Sequence, residues 1–387
     1  MENKVSILIT FTPTSPTTVG NACRLEMIRY ISNYFDTTLI TNRKELLEEK
    51  FHNHRVIDFT IFSSKYSINI IGWYKIANLI NKSKTDLVFM FDDTSPVTLF
   101  LKEPVFQYVH QYGDRSDKRS NFLRKIVRNI IRSIRDYHYI KGLQKSEKVF
   151  VVSRPIMEIL SKNGAKNLVQ IPHAVDIDQF KNPKITEFHQ PLKHLKGKGY
   201  FTVTYTGWVT ENRGFTLMLD AIKKAADRDD KIALIIAGAD DAFSKLISEF
   251  ACQYGLENNI LNFGIIDVSL IPGILHYSDV CLSFLDDVPA YHVSPPQKII
   301  EYYAAGKPVI CNRIEPHEWL VMQRETGIVV NYSADEVADA ILELKHNHEL
   351  LNTMSANAAR EAFRYDINEV YGRMVRIMND SIFAHKK

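Results

Sequence analysis

The chain has 387 residues, 45% of them hydrophobic and 24% charged, with a formal net charge of +3. Single hydrophobic cores stop growing at roughly 250–300 residues, so two domains are the default expectation. The mixed composition, without low-complexity tracts or repeats, excludes a fibre and a disordered chain.

The N-terminal stretch MENKVSILIT (Met1 to Thr10) has an apolar run too short for a signal sequence. Elsewhere no apolar run approaches the ~20 residues of a membrane-spanning helix, so a cytoplasmic protein is expected. Cys23, Cys252, Cys281 and Cys311 form no CxxC pair and have no histidine at finger spacing, which argues against a disulfide framework and a zinc site.

Short apolar runs alternate with helical periodicity, the pattern of parallel βαβ units. The first series is VSILIT, TTLIT, DLVFMF, VFQYV, KVFVVS and LVQIP, from Val5 to Pro172. After the first of these strands, the loop from Phe11 to Arg24 holds Gly20, which permits close backbone approach, with Asn21 and Arg24 as contact candidates. His110 follows VFQYV at a strand's carboxyl end; on its own it reads equally well as a partly buried structural histidine.

Between Arg115 and Lys148 there are eleven Lys or Arg against three acids. Phe122, Ile126, Ile130 and Ile134 recur every four residues there, which predicts an amphipathic helix with a cationic outer face near 120–137. The face is either simply solvated or suited to anionic lipid. Nucleic acid is disfavoured, since neither interleaved aromatics nor a recognition module is present.

Lys-, Pro- and Gly-rich sequence without a period then marks a linker at 184–199. The second series follows: FTVTYTG, IALIIAG, ILNFG, VCLSF, KPVIC and GIVV, from Phe201 to Val330. The expected fold is α/β, with two doubly wound Rossmann-like domains. The first spans 1–183 and is completed by a C-terminal helix at 368–387; the second spans 200–367. Ligands in such sheets bind beyond the carboxyl ends of the strands, and the cleft between domains is the expected site.

The most informative segment is SPPQKIIEYYAAGKPVI, Ser294 to Ile310. Ser294 reads as an N-cap, the prolines as a first turn and Gly306 as a stop. A helix N-terminus at the carboxyl end of a parallel sheet is an anion site. Lys298 adds a charge in its first turn, and Glu301, three residues on, shares its face. On spacing alone these residues equally make an ordinary capped helix with a solvated Lys298–Glu301 pair.

This segment resembles the P-x-K-hydrophobic-hydrophobic-E-Y-x-A-x-G-K-P-V stretch of the family-4 glycosyltransferases, retaining enzymes of GT-B fold that use nucleotide-sugar donors. IPHAVDIDQF (Ile171 to Phe180), VTYTGWVTENRGFTLMLDAI (Val203 to Ile222) and ANAAREAFRYDINEVYGRMVRIM (Ala356 to Met378) resemble further family segments in order. The resemblance implies that Glu301 binds the donor ribose and that backbone N–H groups near Lys298 and Ile299 hold the phosphates. Gly207, Arg213 and Gly238 complete the donor set, and His110 faces the donor sugar, so that His110, Arg213 and Lys298 are the catalytic candidates. Gly20, Asn21 and Arg24 lie in the loop that approaches phosphate and acceptor. It implies no metal, a sugar or lipid-linked glycan acceptor, and polysaccharide or glycolipid synthesis. Two positions depart from the pattern: Val293 stands where many members have a first glutamate, and Trp208 where they have a first basic residue. A nucleotide-sugar epimerase and a non-catalytic nucleotide- or glycan-binding protein are the rival readings.

Overall fold

The computed structural model describes residues 5–11, 22–42, 44–48, 51–59, 70–110 and 122–385; within these, the side chains at 11, 22, 46, 92–93, 122–132 and 384–385 are outside the description. Gly20 and Asn21 therefore lie outside the described residues. The chain divides into two compact units, 1–172 with 370–387 and 173–369.

The first unit holds a seven-stranded parallel sheet: β1 Ser6–Phe11, β2 Asp36–Thr41, β3 Arg55–Asp58, β4 Leu87–Phe91, β5 Val105–Val109, β6 Lys148–Val151 and β7 Leu168–Gln170. Their spatial order is β3-β2-β1-β4-β5-β6-β7. The central strands β4 and β5 are buried at every position, as a parallel sheet covered on both faces demands. β3 was not expected. It sits at the sheet edge with RVID half exposed, so it lacks the continuous apolar run that marks its neighbours.

The basic stretch forms a helix at Phe122–Lys145. The C-terminal helix Ile367–His385 packs into this unit: the rings of Tyr371 and Tyr30 lie 5.8 Å apart, Arg373 donates to the Gln170 carbonyl, and Ser381 Oγ donates to Glu147 Oε1 at 3.1 Å.

The second unit holds a six-stranded parallel sheet: β8 Phe201–Thr206, β9 Ile232–Ala237, β10 Ile260–Asn262, β11 Val280–Ser283, β12 Val309–Asn312 and β13 Gly327–Val330. The order is β10-β9-β8-β11-β12-β13, which places the switch point between β8 and β11. β8 shows why it is central. Phe201, Val203 and Tyr205 join one hydrophobic cluster, while each buried threonine hydroxyl on the other side is satisfied. Thr202 donates to the Tyr277 carbonyl at 2.7 Å, Thr204 bonds Ser278 at 2.6 Å and Thr206 bonds the Tyr302 hydroxyl at 3.2 Å. Buried hydroxyls left unpaired would cost about 1–3 kcal/mol each.

The stretch read as a linker is folded. Glu187–His189 and Gln190–Gly197 are helical turns, and Pro191 suits the first turn of the second. Leu192 is fully buried against Ile235, Ala237 and Ile274, and His189 takes the Thr186 N–H on Nδ1 while Nε2 donates to the Leu270 carbonyl. This segment is therefore part of the second unit, which begins at residue 173 and ends at 369.

Candidate functional site

The second unit gathers its chemistry at the switch point. After β8 the chain turns through Gly207, at φ +102°, and after β9 through Gly238, at φ +123°; both values are accessible to glycine and strained for other residues. A Cβ on Gly238 would lie 2.1 Å from the Gly207 carbonyl oxygen, so these two turns are pressed together. Gly207 N–H donates to the Ala237 carbonyl and Val209 N–H to that of Gly238.

The helix Gln297–Ala304 rises beside these turns. Its C-terminus is closed as expected by Gly306 at φ +64°, with Gly306 N–H donating to the Tyr303 carbonyl and Lys307 N–H to that of Tyr302, a Schellman arrangement. Its N-terminus differs from expectation. Pro296, not Ser294, holds the N-cap position, and no side chain caps it. Ser294 instead terminates the short helix Pro289–Val293, and its hydroxyl is buried with no hydrogen-bond partner among the described residues. Ile299 N–H, expected to be open for phosphate, donates to the Pro296 carbonyl at 3.2 Å.

Lys298 is 8% exposed, and its Nζ has no hydrogen-bond partner among the described residues. It makes no ion pair with Glu301 among the described residues. It stands instead 3.5 Å from the centroid of the Tyr205 ring, a cation–π contact. A Cβ on Gly207 would lie 3.6 Å from both Cε and Nζ of Lys298, so the glycine leaves the room through which the side chain reaches Tyr205. Burial, and then the Arg213 guanidinium, push the Lys298 pKa well below the usual lysine value, while Glu301 opposes them. Burial raises Glu301 to about 6, against Lys298 and the Gln297 amide, which donates to Glu301 Oε1 at 3.2 Å. Arg213 closes the turn Glu211–Arg213 and is half buried.

Other groups support the floor of the site. Asn312 bridges both backbone groups of Leu285, and His317 donates from Nδ1 to the Asn312 carbonyl and accepts the Ser283 hydroxyl on Nε2. Burial lowers His317 to about 4, so it is neutral there. Asp286, whose N–H donates to the Asn212 carbonyl, is raised by burial and by Glu211.

The structure therefore brings together Gly207, Arg213, Gly238, Lys298, Ile299 and Glu301 of the sequence reading. His110 lies in the first unit, half buried just after β5. Arg24, expected on a loop, is in the first turns of the helix Ala22–Ser32 and 4% exposed. Val293 ends the helix Pro289–Val293, and Trp208 is 40% exposed at the mouth of the β8 turn. Tyr205 was missed, because a tyrosine inside FTVTYT reads as core. The one hint is its place two residues before a glycine at a strand's carboxyl end.

Among the described residues no helix is long and apolar enough to cross a membrane. Residues 187–361 match the family of glycosyl transferases group 1. The search of functionally curated proteins finds no significant match to the sequence. Solved structures similar in fold include a glycosyltransferase from Rickettsia africae, 19% identical, covering 98% of this chain and 99% of that one at a TM-score of 0.72. Anabaena HepE in complex with UDP is 15% identical, with 97% and 100% coverage and a TM-score of 0.75. A UDP-N-acetylglucosamine 2-epimerase is also similar, 14% identical, with 96% and 95% coverage and a TM-score of 0.62, so the fold alone does not separate transfer from epimerisation. The chain thus has the GT-B fold, with a match to the group 1 glycosyl transferases over residues 187–361.

Proposed function

We propose that this chain is a glycosyltransferase that moves a sugar from a nucleoside-diphosphate sugar to an acceptor hydroxyl with retention of configuration. The observation that carries the reading is Lys298: an enclosed ammonium with no hydrogen-bond partner among the described residues, close enough to Arg213 for the two cations to oppose each other. A diphosphate supplies the anion both lack. Glu301 accepts the ribose hydroxyls, and Gly207 and Gly238 let the backbone approach the donor closely. The bond from the sugar's C1 to the diphosphate oxygen breaks, its electron pair passing to the diphosphate, whose charge Lys298 and Arg213 counter as it develops. The acceptor oxygen bonds to C1 on the face the diphosphate leaves, and its proton passes to the diphosphate. His110 takes a sugar hydroxyl. Since the two cations provide the countercharge, transfer is proposed to run without a metal cofactor, and activity should survive EDTA.

HepE has been solved with UDP and with UDP-glucose, which makes UDP and its sugars the first ligands to try. A ligand at 100 times its dissociation constant stabilises by about 2.7 kcal/mol, so thermal shifts with UDP, GDP and ADP identify the base. Binding of none of them, or binding without transfer or slow donor hydrolysis, overturns the enzymatic reading. An epimerase would instead convert the free nucleotide sugar without any acceptor.

The acceptor is proposed to be a lipid-linked glycan, reached from the cytoplasmic face of a membrane. Ile134 and Tyr137 on the helix Phe122–Lys145 are 41% and 60% exposed, with Lys141 5.6 Å from the Tyr137 ring, the mixture of apolar and cationic groups that an anionic bilayer surface binds. Flotation with and without anionic lipid tests it; equal recovery sinks it.

A further inference from the structure

Tyr205 carries Lys298 on its ring face and lies close to Arg213, and no simple packing need explains its polar end. It is fully buried, so its ring alone satisfies the core, and a phenylalanine would fill the same volume. Yet the hydroxyl donates to the Trp208 carbonyl at 2.9 Å, tying down the first turn of the segment that leads to Arg213. The Arg213 guanidinium stands beside that same hydroxyl, whose oxygen lone pairs are left to accept from it because only the proton goes to Trp208. The ring face meanwhile carries Lys298 Nζ at 3.5 Å. One side chain thus seats an ammonium on its face and a guanidinium at its edge oxygen. Burial raises the phenol to about 12 even against Arg213, so it remains a protonated donor across the physiological range.

Two like charges held in a water-poor pocket repel, and without a fixed support each side chain would swing toward solvent. A lysine is a flexible point charge on a four-carbon stem, so its placement depends on what it leans against. Among the described residues, ring contact is the support for Nζ, and no oxygen or carboxylate there bonds it. The charged and titratable groups around Lys298 are Arg213, Glu301, Cys281, His317 and Tyr205 itself.

We propose that Tyr205 is a positioning residue for the donor diphosphate, holding Lys298 by its ring and Arg213 by its hydroxyl so that the two cations are set before the ligand arrives. The inference rests on the proposed donor site. It adds that the spacing of the cations is fixed by a third residue. Preorganisation of this kind is expressed in phosphate affinity and in stabilisation of the leaving group, with no effect on recognition of the base.

The test uses the full chain and whichever of UDP, GDP or ADP the wild-type protein binds, together with the matching nucleoside as a competitor without phosphates. Tyr205→Phe keeps the ring and the volume and removes the hydroxyl, and thermal unfolding checks that the fold is intact. The expected result is an affinity for the nucleoside diphosphate about tenfold weaker, with nucleoside affinity unchanged. Combined with Arg213→Ala, the substitution should cost nothing beyond Arg213→Ala alone, since the hydroxyl acts through that guanidinium. Diphosphate affinity within twofold of wild type, an equal loss for nucleoside and diphosphate, or losses that multiply in the double variant would each overturn the proposal. If wild type binds no nucleoside diphosphate at all, the reading of the donor site fails and takes this inference with it; the other outcomes leave that reading standing.

Discussion

A lysine ammonium enclosed without a partner costs a fold several kcal/mol, and folds retain such a group when a ligand uses it. Lys298→Met should therefore stabilise the ligand-free protein by about 2 kcal/mol, a rise of roughly 4–8 °C in the thermal midpoint, while weakening nucleoside-diphosphate affinity about 100-fold. Burial holds the Lys298 pKa down, so the cost exists where the unfolded chain would carry the proton and vanishes above the ordinary lysine value of 10.5. The gain from Met should shrink as the pH rises toward that value. Glu301 works in the opposite sense. Its pKa is raised from 4.5 to about 6, so the ligand-free protein loses stability as the pH rises through that window. The proposed ribose contact needs the carboxylate, so affinity should fall about tenfold between pH 7 and pH 5, and Glu301→Gln should abolish the step. Calorimetry across that range decides it; a flat wild-type profile removes the ribose from Glu301.

Elements place these residues through close backbone contacts that sequence shows only as glycines. Gly238→Ala puts a methyl on the Gly207 carbonyl at a φ of +123°, and about 3 kcal/mol of stability should be lost in denaturant unfolding. Strands were legible wherever both faces are covered, because the buried run is continuous, as in IALIIA of β9. β3 escaped because an edge strand is half wet. The segment 187–197 escaped because its Pro, Lys and Gly content hides a helix that buries little more than Leu192. Within the site, spacing made Lys298 and Glu301 legible as neighbours on one helix face, and Arg213 stood out only through the family resemblance. Tyr205 was not legible, since its role depends on a lysine 93 positions later crossing the end of its strand. Ser294 was misplaced because a serine before two prolines satisfies the cap pattern, while the chain uses it to leave the preceding short helix.

At the scale of the whole molecule, the first unit is discontinuous and the second is not. The helix Ile367–His385 contributes Tyr371, Met374, Val375, Met378 and Ile382 as buried side chains. At about 1.5–3 kcal/mol each, their loss is comparable to the stability of an entire domain. A chain truncated after Glu369 should therefore leave the first unit unfolded, seen as loss of one calorimetric transition, while the second unit still binds nucleoside diphosphate. Binding lost together with that transition would show that the second unit does not hold the ligand alone. The same discontinuity sets an order on synthesis. Residues up to Pro172 leave the ribosome first, yet their sheet lacks its closing helix for about 200 further residues, some 10–40 s at ordinary elongation rates. The later-made half can complete its fold before the earlier-made half, whose uncovered apolar surface is exposed to chaperones for that interval.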